Sequence, residues 1–207
     1  MSSPRFPIDE SPDSAAVEVM TESLAKMHNG KPPFQYTDED GKSLVGCYAP
    51  LCYSPIITRQ FFALAKACYD PAAVNPRRRE LTIMGFASIM SVPYVVYCHR
   101  SCANKVGLSD QQYDDGVAGK VPKDLTEEEE TVYQLARTLT TLTSRLDDDT
   151  WQEATSKLGK AEVVGVVHIV AAYKWVALLA LVNGDDDRWR SLMSAPHADI
   201  DAVATGT

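Results

Sequence analysis

The sequence has no CxxC pair, no zinc-type cysteine–histidine spacing, no glycine-rich phosphate loop and no run of alternating apolar and polar residues long enough for a strand. Each absence removes a class of protein. Without CxxC, and with an odd count, the five cysteines (Cys47, Cys52, Cys68, Cys98, Cys102) read as free thiols of a cytosolic chain. Four scattered histidines without an HxxxH spacing or a neighbouring carboxylate suggest no metal. With no phosphate loop either, no cofactor is expected. Lack of strand alternation leaves an all-α fold of six to eight helices.

Positive charge is scarce as well. With 20 basic against 28 acidic residues the net charge is −8, which disfavours nucleic acid and anionic membrane as partners and favours a small molecule. The N-terminal MSSPRFPIDESPDS lacks the apolar stretch of a signal peptide, so a cytoplasmic location is expected. The longest apolar run, Ala161 to Asn183, is interrupted by Glu162, His168 and Lys174 and reads as a buried helix rather than a membrane span.

What is present fits one domain. At 207 residues, 45% hydrophobic and 23% charged, the chain is ordinary for a globular protein. A flexible tail (1–13), a helical domain (14–190) and a C-terminal tail (191–207) are expected. Asp13 or Ser14 is a candidate cap for a helix ending at Gly30, and prolines and glycines make 31–55 a loop-rich cover. A helix over 56–69 should carry Ile57, Phe61, Leu64, Ala65 and Cys68 on one side. Pro76 opens a helix that Pro93 bounds, and Pro93 opens the next, to Gly107. Ser109 and Thr126 cap two more, the second with Glu129 in a capping box. Helices over 150–159 and 161–182 complete the chain. The run Arg77–Arg79 opposes its helix dipole and so is expected to face a carboxylate of substrate or neighbouring subunit.

On the helix from Pro93, three- and four-residue spacing puts Val95, Val96, His99, Cys102, Ala103 and Val106 on one face, so His99 points inward. It is either a core histidine satisfied by a carbonyl or a proton-transfer group. Glu80, on the preceding helix, shares an inward side with Met84 and Ala87, and a buried carboxylate wants a partner. If the two helices cross, Glu80 orients the His99 imidazole for acid–base work; the alternative is an ion pair that only holds the helices together. Tyr94 and Tyr97 are positioned to hydrogen-bond a developing enolate or to pack at a helix interface. Cys102 lines the same stripe or fills core. His168 and Tyr173 lie on the last apolar helix, His168 reading as a packing or interface residue; His28 and His197 suggest nothing.

RREL, then Tyr94, Tyr97 and His99, then Ala103 and GLS at 107–109 resemble the carboxymuconolactone decarboxylase family, related to alkylhydroperoxidase D-like proteins. The resemblance extends over roughly residues 35 to 184. In the peroxidase branch a glutamate is followed by a CxxC pair and a histidine. Registered on Glu80 and His99, with 18 residues between, the thiol positions fall on Val92 and Val95. Valine forms no thiolate, so peroxide reduction by that route is excluded there. Cys98 and Cys102, four apart on a helix, are poor substitutes. The decarboxylase branch implies a cofactor-independent enzyme with His99 and Glu80 as catalytic pair and Val92, Tyr94, Val95, Tyr97 and Cys102 around the substrate. Val95 stands where relatives often carry a polar residue, implying a more apolar substrate. Decarboxylation of a lactone acid or β-keto acid, an isomerisation or cyclisation with the same groups, and a non-catalytic ligand-binding protein remain alternatives. The resemblance also implies a homo-oligomer, for which the helix over 161–182 with Trp175 is the expected interface.

Overall fold

The computed structural model describes residues 5–12, 15–38 and 43–194; Asp13, Ser14, Gly41 and His197 lie outside the described residues. The fold is all-α. Among the described residues the one β feature is an isolated bridge between Thr37 and Leu44. The segment read as one domain divides into two units: Met1–Lys66 with Val92–Cys98 and Val176–Thr207, and Ala67–Ser91 with His99–Trp175.

In the first unit, α1 (Ala16–His28) buries Met20 and Leu24 and stops at Asn29, whose left-handed φ of 53° turns the chain so that the Gly30 N–H also reaches the Ala25 carbonyl, at 2.9 Å. The expected loop follows, with a four-residue helix α2 (Tyr48–Leu51) inside it. Part of the N-terminal stretch read as a tail is tied to this segment. Tyr53 Oη donates to the Pro7 carbonyl at 2.6 Å and Ser11 Oγ to the Cys52 carbonyl at 2.9 Å, flanking a 3-10 turn at Ile8–Glu10. Helix α3 (Pro55–Tyr69), whose last three residues belong to the second unit, buries Thr58, Phe61, Phe62 and Cys68, while Ile57 and Leu64 are exposed. Its inner face is therefore rotated from the expected one, because buried Thr58 is held by donating to the Leu51 carbonyl. Gly46, at φ 59°, leaves no room for a side chain: a Cβ there would sit 2.1 Å from the Tyr94 ring.

The second unit centres on α4 (Pro76–Met90). Asn75 caps it by accepting from the Arg77 and Arg78 amides, with Pro76 at its first position. Ser91, in the left-handed region at φ 46°, ends it. Helix α5 (Pro93–Lys105) starts two residues later. Ser109 and Thr126 form capping boxes for α6 (Asp110–Val117) and α7 (Glu127–Thr141). The three arginines turn out to face carboxylates of their own chain: Arg77 meets Glu129 at 2.7 Å, Arg78 meets Glu162 at 2.5 Å and Arg79 meets Glu80 at 3.2 Å.

Helix α4 approaches α7 at Gly85, where an added Cβ would lie 2.6 Å from the Tyr133 carbonyl oxygen and 3.0 Å from the Ala136 Cβ. Backbone cannot swing aside as a side-chain tip can. Gly85→Ala is therefore expected to cost about 1–3 kcal/mol through overpacking, against at most about 1 kcal/mol gained in helix propensity. Urea unfolding checks this, and a more stable variant would contradict so close a packing.

Helix α8 (Asp148–Asn183) breaks at Gly159, at φ 74° and ψ 158°, so two helical stretches abut where the sequence separates them. It is also long and apolar enough to cross a membrane by length and composition, a test that the core helix of a soluble protein passes as well. Among its outward-facing residues, Val164 and Val167 belong to the second unit and Leu178, Leu181 and Val182 to the first. Helix α9 (Asp186–Ser194) carries Trp189, fully buried in the first unit.

Candidate functional site

The site lies within the second unit. Glu80 stands on the second turn of α4, His99 on the second turn of α5, Tyr173 on α8 beyond the Gly159 break and Tyr69 at the end of α3. His99 Nδ1 lies 2.7 Å from Glu80 Oε2, with the carboxylate side chain 1% and the imidazole 7% exposed. The expected meeting of the two residues is present. A carboxylate can only accept, so Nδ1 carries the proton in this pair. The other ring nitrogen, Nε2, is 2.6 Å from the Tyr173 hydroxyl, which lies 3.2 Å from the Tyr69 hydroxyl.

Arg79 completes the group. Its Nε donates to Glu80 Oε1 at 3.2 Å, its Nη1 donates to the Tyr69 carbonyl at 3.4 Å, and its guanidinium lies 3.9 Å from the Tyr69 ring centroid. Burial works to raise the Glu80 carboxyl, but the charge and hydrogen bond of His99 and then those of Arg79 outweigh it, holding the group below the usual carboxylate range. Burial pushes the hydroxyls of Tyr69 and Tyr173 well above the usual phenol range, so both remain neutral O–H groups. Phe86 packs against Tyr173 with ring centroids 6.0 Å apart.

Cys102 lies beside the pair, and burial together with the Glu80 charge pushes its thiol up to about 12. Such a thiol is almost wholly protonated near neutrality and is a poor nucleophile. Donor atoms of Glu80, His99 and Cys102 all fall within 4.8 Å of one another, a set that sequence spacing hides because it joins two helices. A cation there would have to displace the proton shared by Glu80 and His99, ionise Cys102 and coexist with the Arg79 guanidinium.

The remaining candidates belong to the first unit. Val92 and Val95 are buried. The Tyr94 hydroxyl donates to the Gln35 carbonyl at 2.9 Å, and the Gln35 amide donates to the Tyr97 hydroxyl at 3.3 Å. Both rings lie against Trp189, at centroid distances of 4.7 and 4.9 Å. Cys98 is buried in the same unit. On α8, His168 is exposed while Tyr173 points inward, since five residues along a helix is a rotation of about 140° from one face to another. Tyr69 was missed altogether. Its signal in the sequence is faint: an aromatic closing a helix ten residues before the arginine that covers it.

No family model, no curated protein and no solved structure matches this chain.

Proposed function

We propose that the protein is a cofactor-independent acid–base enzyme whose proton-transfer centre is the Glu80–His99 pair, acting on a small molecule. The observation that carries this reading is the buried 2.7 Å contact between a carboxylate held ionised and an imidazole whose second nitrogen also bonds a hydroxyl. An imidazole so oriented can exchange a proton through Nε2 with the hydroxyl it already bonds. The favoured reaction is decarboxylation of a lactone acid or β-keto acid, in which carbon dioxide leaves an enolate that the site reprotonates. This agrees with the resemblance to carboxymuconolactone decarboxylases. The poorly nucleophilic Cys102 thiol and the valines at positions 92 and 95 speak against thiol peroxidase chemistry. A cytoplasmic homo-oligomer, with the outward apolar residues of α8 at its interface, belongs to the same proposal.

The test is mass spectrometry of lactone acids, β-keto acids and unsaturated cyclic ketones incubated in heavy water with wild type and His99→Ala. Loss of carbon dioxide with deuterium uptake, falling at least about a hundredfold in His99→Ala, is expected. Deuterium exchange without mass loss indicates an isomerase or cyclase instead. Turnover equal to wild type in His99→Ala removes the pair from catalysis. A protein that alters no compound and gains no thermal stability from any of them is a structural ion pair on a helical scaffold.

A further inference from the structure

Glu80 and Tyr173 together occupy both nitrogens of His99, at 2.7 and 2.6 Å, so a substrate reaching the imidazole would meet no free nitrogen. From Nε2 the contacts continue through the Tyr173 hydroxyl to the Tyr69 hydroxyl. Taken as whole residues, though not at the two hydroxyls, these groups become less buried in the same direction. Glu80, His99 and Tyr173 are 1%, 6% and 8% exposed, whereas Tyr69 is only partly buried. Arg79 grips the two ends, Glu80 through its Nε and Tyr69 through its ring and carbonyl.

We propose that Glu80, His99, Tyr173 and Tyr69 form a proton relay in which Tyr69, rather than His99, hands the proton to the substrate. The proposal rests on the acid–base reading above and adds to it the group that touches the enolate. As the Tyr69 O–H bond breaks, its proton joins the enolate, and the Tyr173 hydroxyl proton moves to the Tyr69 oxygen. The Nε2 proton of cationic His99 moves to the Tyr173 oxygen, leaving a neutral imidazole with its remaining proton on Nδ1 facing Glu80. Water restores the lost proton after product leaves. Tyr69 is then the catalytic residue, while Tyr173, His99 and Glu80 supply and position the proton behind it. Arg79 serves as a positioning residue that fixes the ring at one end and the charge at the other.

The relay has a readout that needs no substrate. In the full chain labelled with 15N-histidine, the exchange rate of the His99 ring protons with water is measured by NMR saturation transfer. Tyr69→Phe keeps the ring over Arg79 and removes only the oxygen. Exchange is expected to slow about tenfold or more with the melting temperature little changed, and Tyr173→Phe, which cuts the chain one step earlier, is expected to slow it likewise. Unchanged or faster exchange in the folded variants overturns the relay. On whichever compound of the panel turns over, kcat of Tyr69→Phe is expected to fall about a hundredfold with KM nearly constant, and the double variant with His99→Ala to be no slower than the worse single one. Wild-type kcat in Tyr69→Phe beside a dead His99→Ala sinks the role of Tyr69 and spares the acid–base reading. If wild type turns over nothing, that reading fails, and the exchange rates alone decide whether the relay exists.

Discussion

Glu80→Ala is expected to lower the stability of the protein by about 3–5 kcal/mol, the usual cost of removing one partner from a buried ion pair. The carboxylate is 1% exposed and lies between the Arg79 guanidinium and the His99 imidazole, so its loss strands the buried Arg79 charge without its carboxylate. Glu80→Gln keeps the shape and one acceptor oxygen and is expected to lose less. The effect carries a pH signature. The Glu80 carboxyl is held below its usual value of 4.5, so the folded state binds this proton less readily than the unfolded chain does. Its contribution is therefore complete above about pH 4.5 and fades as the pH falls through the lower folded-state value. Urea unfolding at pH 7 and at successively lower pH checks both parts. Wild type and Glu80→Ala should differ most at neutral pH and converge in acid. A difference below about 1 kcal/mol at pH 7 would mean that the pair is open to solvent.

Trp189→Ala is expected to cost about 3–5 kcal/mol, here in the first unit. The indole is fully buried and lies against Tyr94 and Tyr97, with Tyr48 packed edge-on against Tyr94 at 6.0 Å. Truncation removes the whole indole from a cluster whose two phenols also hold the Gln35 backbone. The cavity should thus loosen the loop around Gln35 as well as α9. Urea unfolding followed by circular dichroism reads the cost, and a loss under about 1 kcal/mol would show that α9 is not docked in solution.

Local signals carried most of the secondary structure. Pro76, Pro93, Ser109 and Thr126 each mark a helix start because each acts through backbone geometry or a hydrogen bond within four residues. The break at Gly159 was legible for the same reason. The inner face of α3 was not, because apolar residues occur all round that helix and tertiary packing chose Thr58 over Ile57. In the site, Glu80 and His99 were legible as polar groups on inward faces. Tyr173 appeared only as an open candidate, since a tyrosine on an apolar helix looks like packing until its hydroxyl finds a partner. Tyr69 joins through a contact spanning 104 residues, and Arg79 looked like one of three equivalent charges until its partners distinguished it. The division into two units left no mark on composition, because each unit is assembled from separate stretches of chain.

The nine consecutive residues Arg79 to Ala87 of α4 are all buried, so this helix shows solvent no face over two and a half turns. A helix enclosed in this way has no partial opening of its own; its amides exchange only when the surrounding helices come away. Glu80 thus sits on a fully enclosed stretch of helix, whereas Tyr69 closes a helix whose preceding residues Lys66 and Ala67 are exposed. Amide hydrogen exchange is therefore expected to be faster at the tyrosine end of the site than at the carboxylate end.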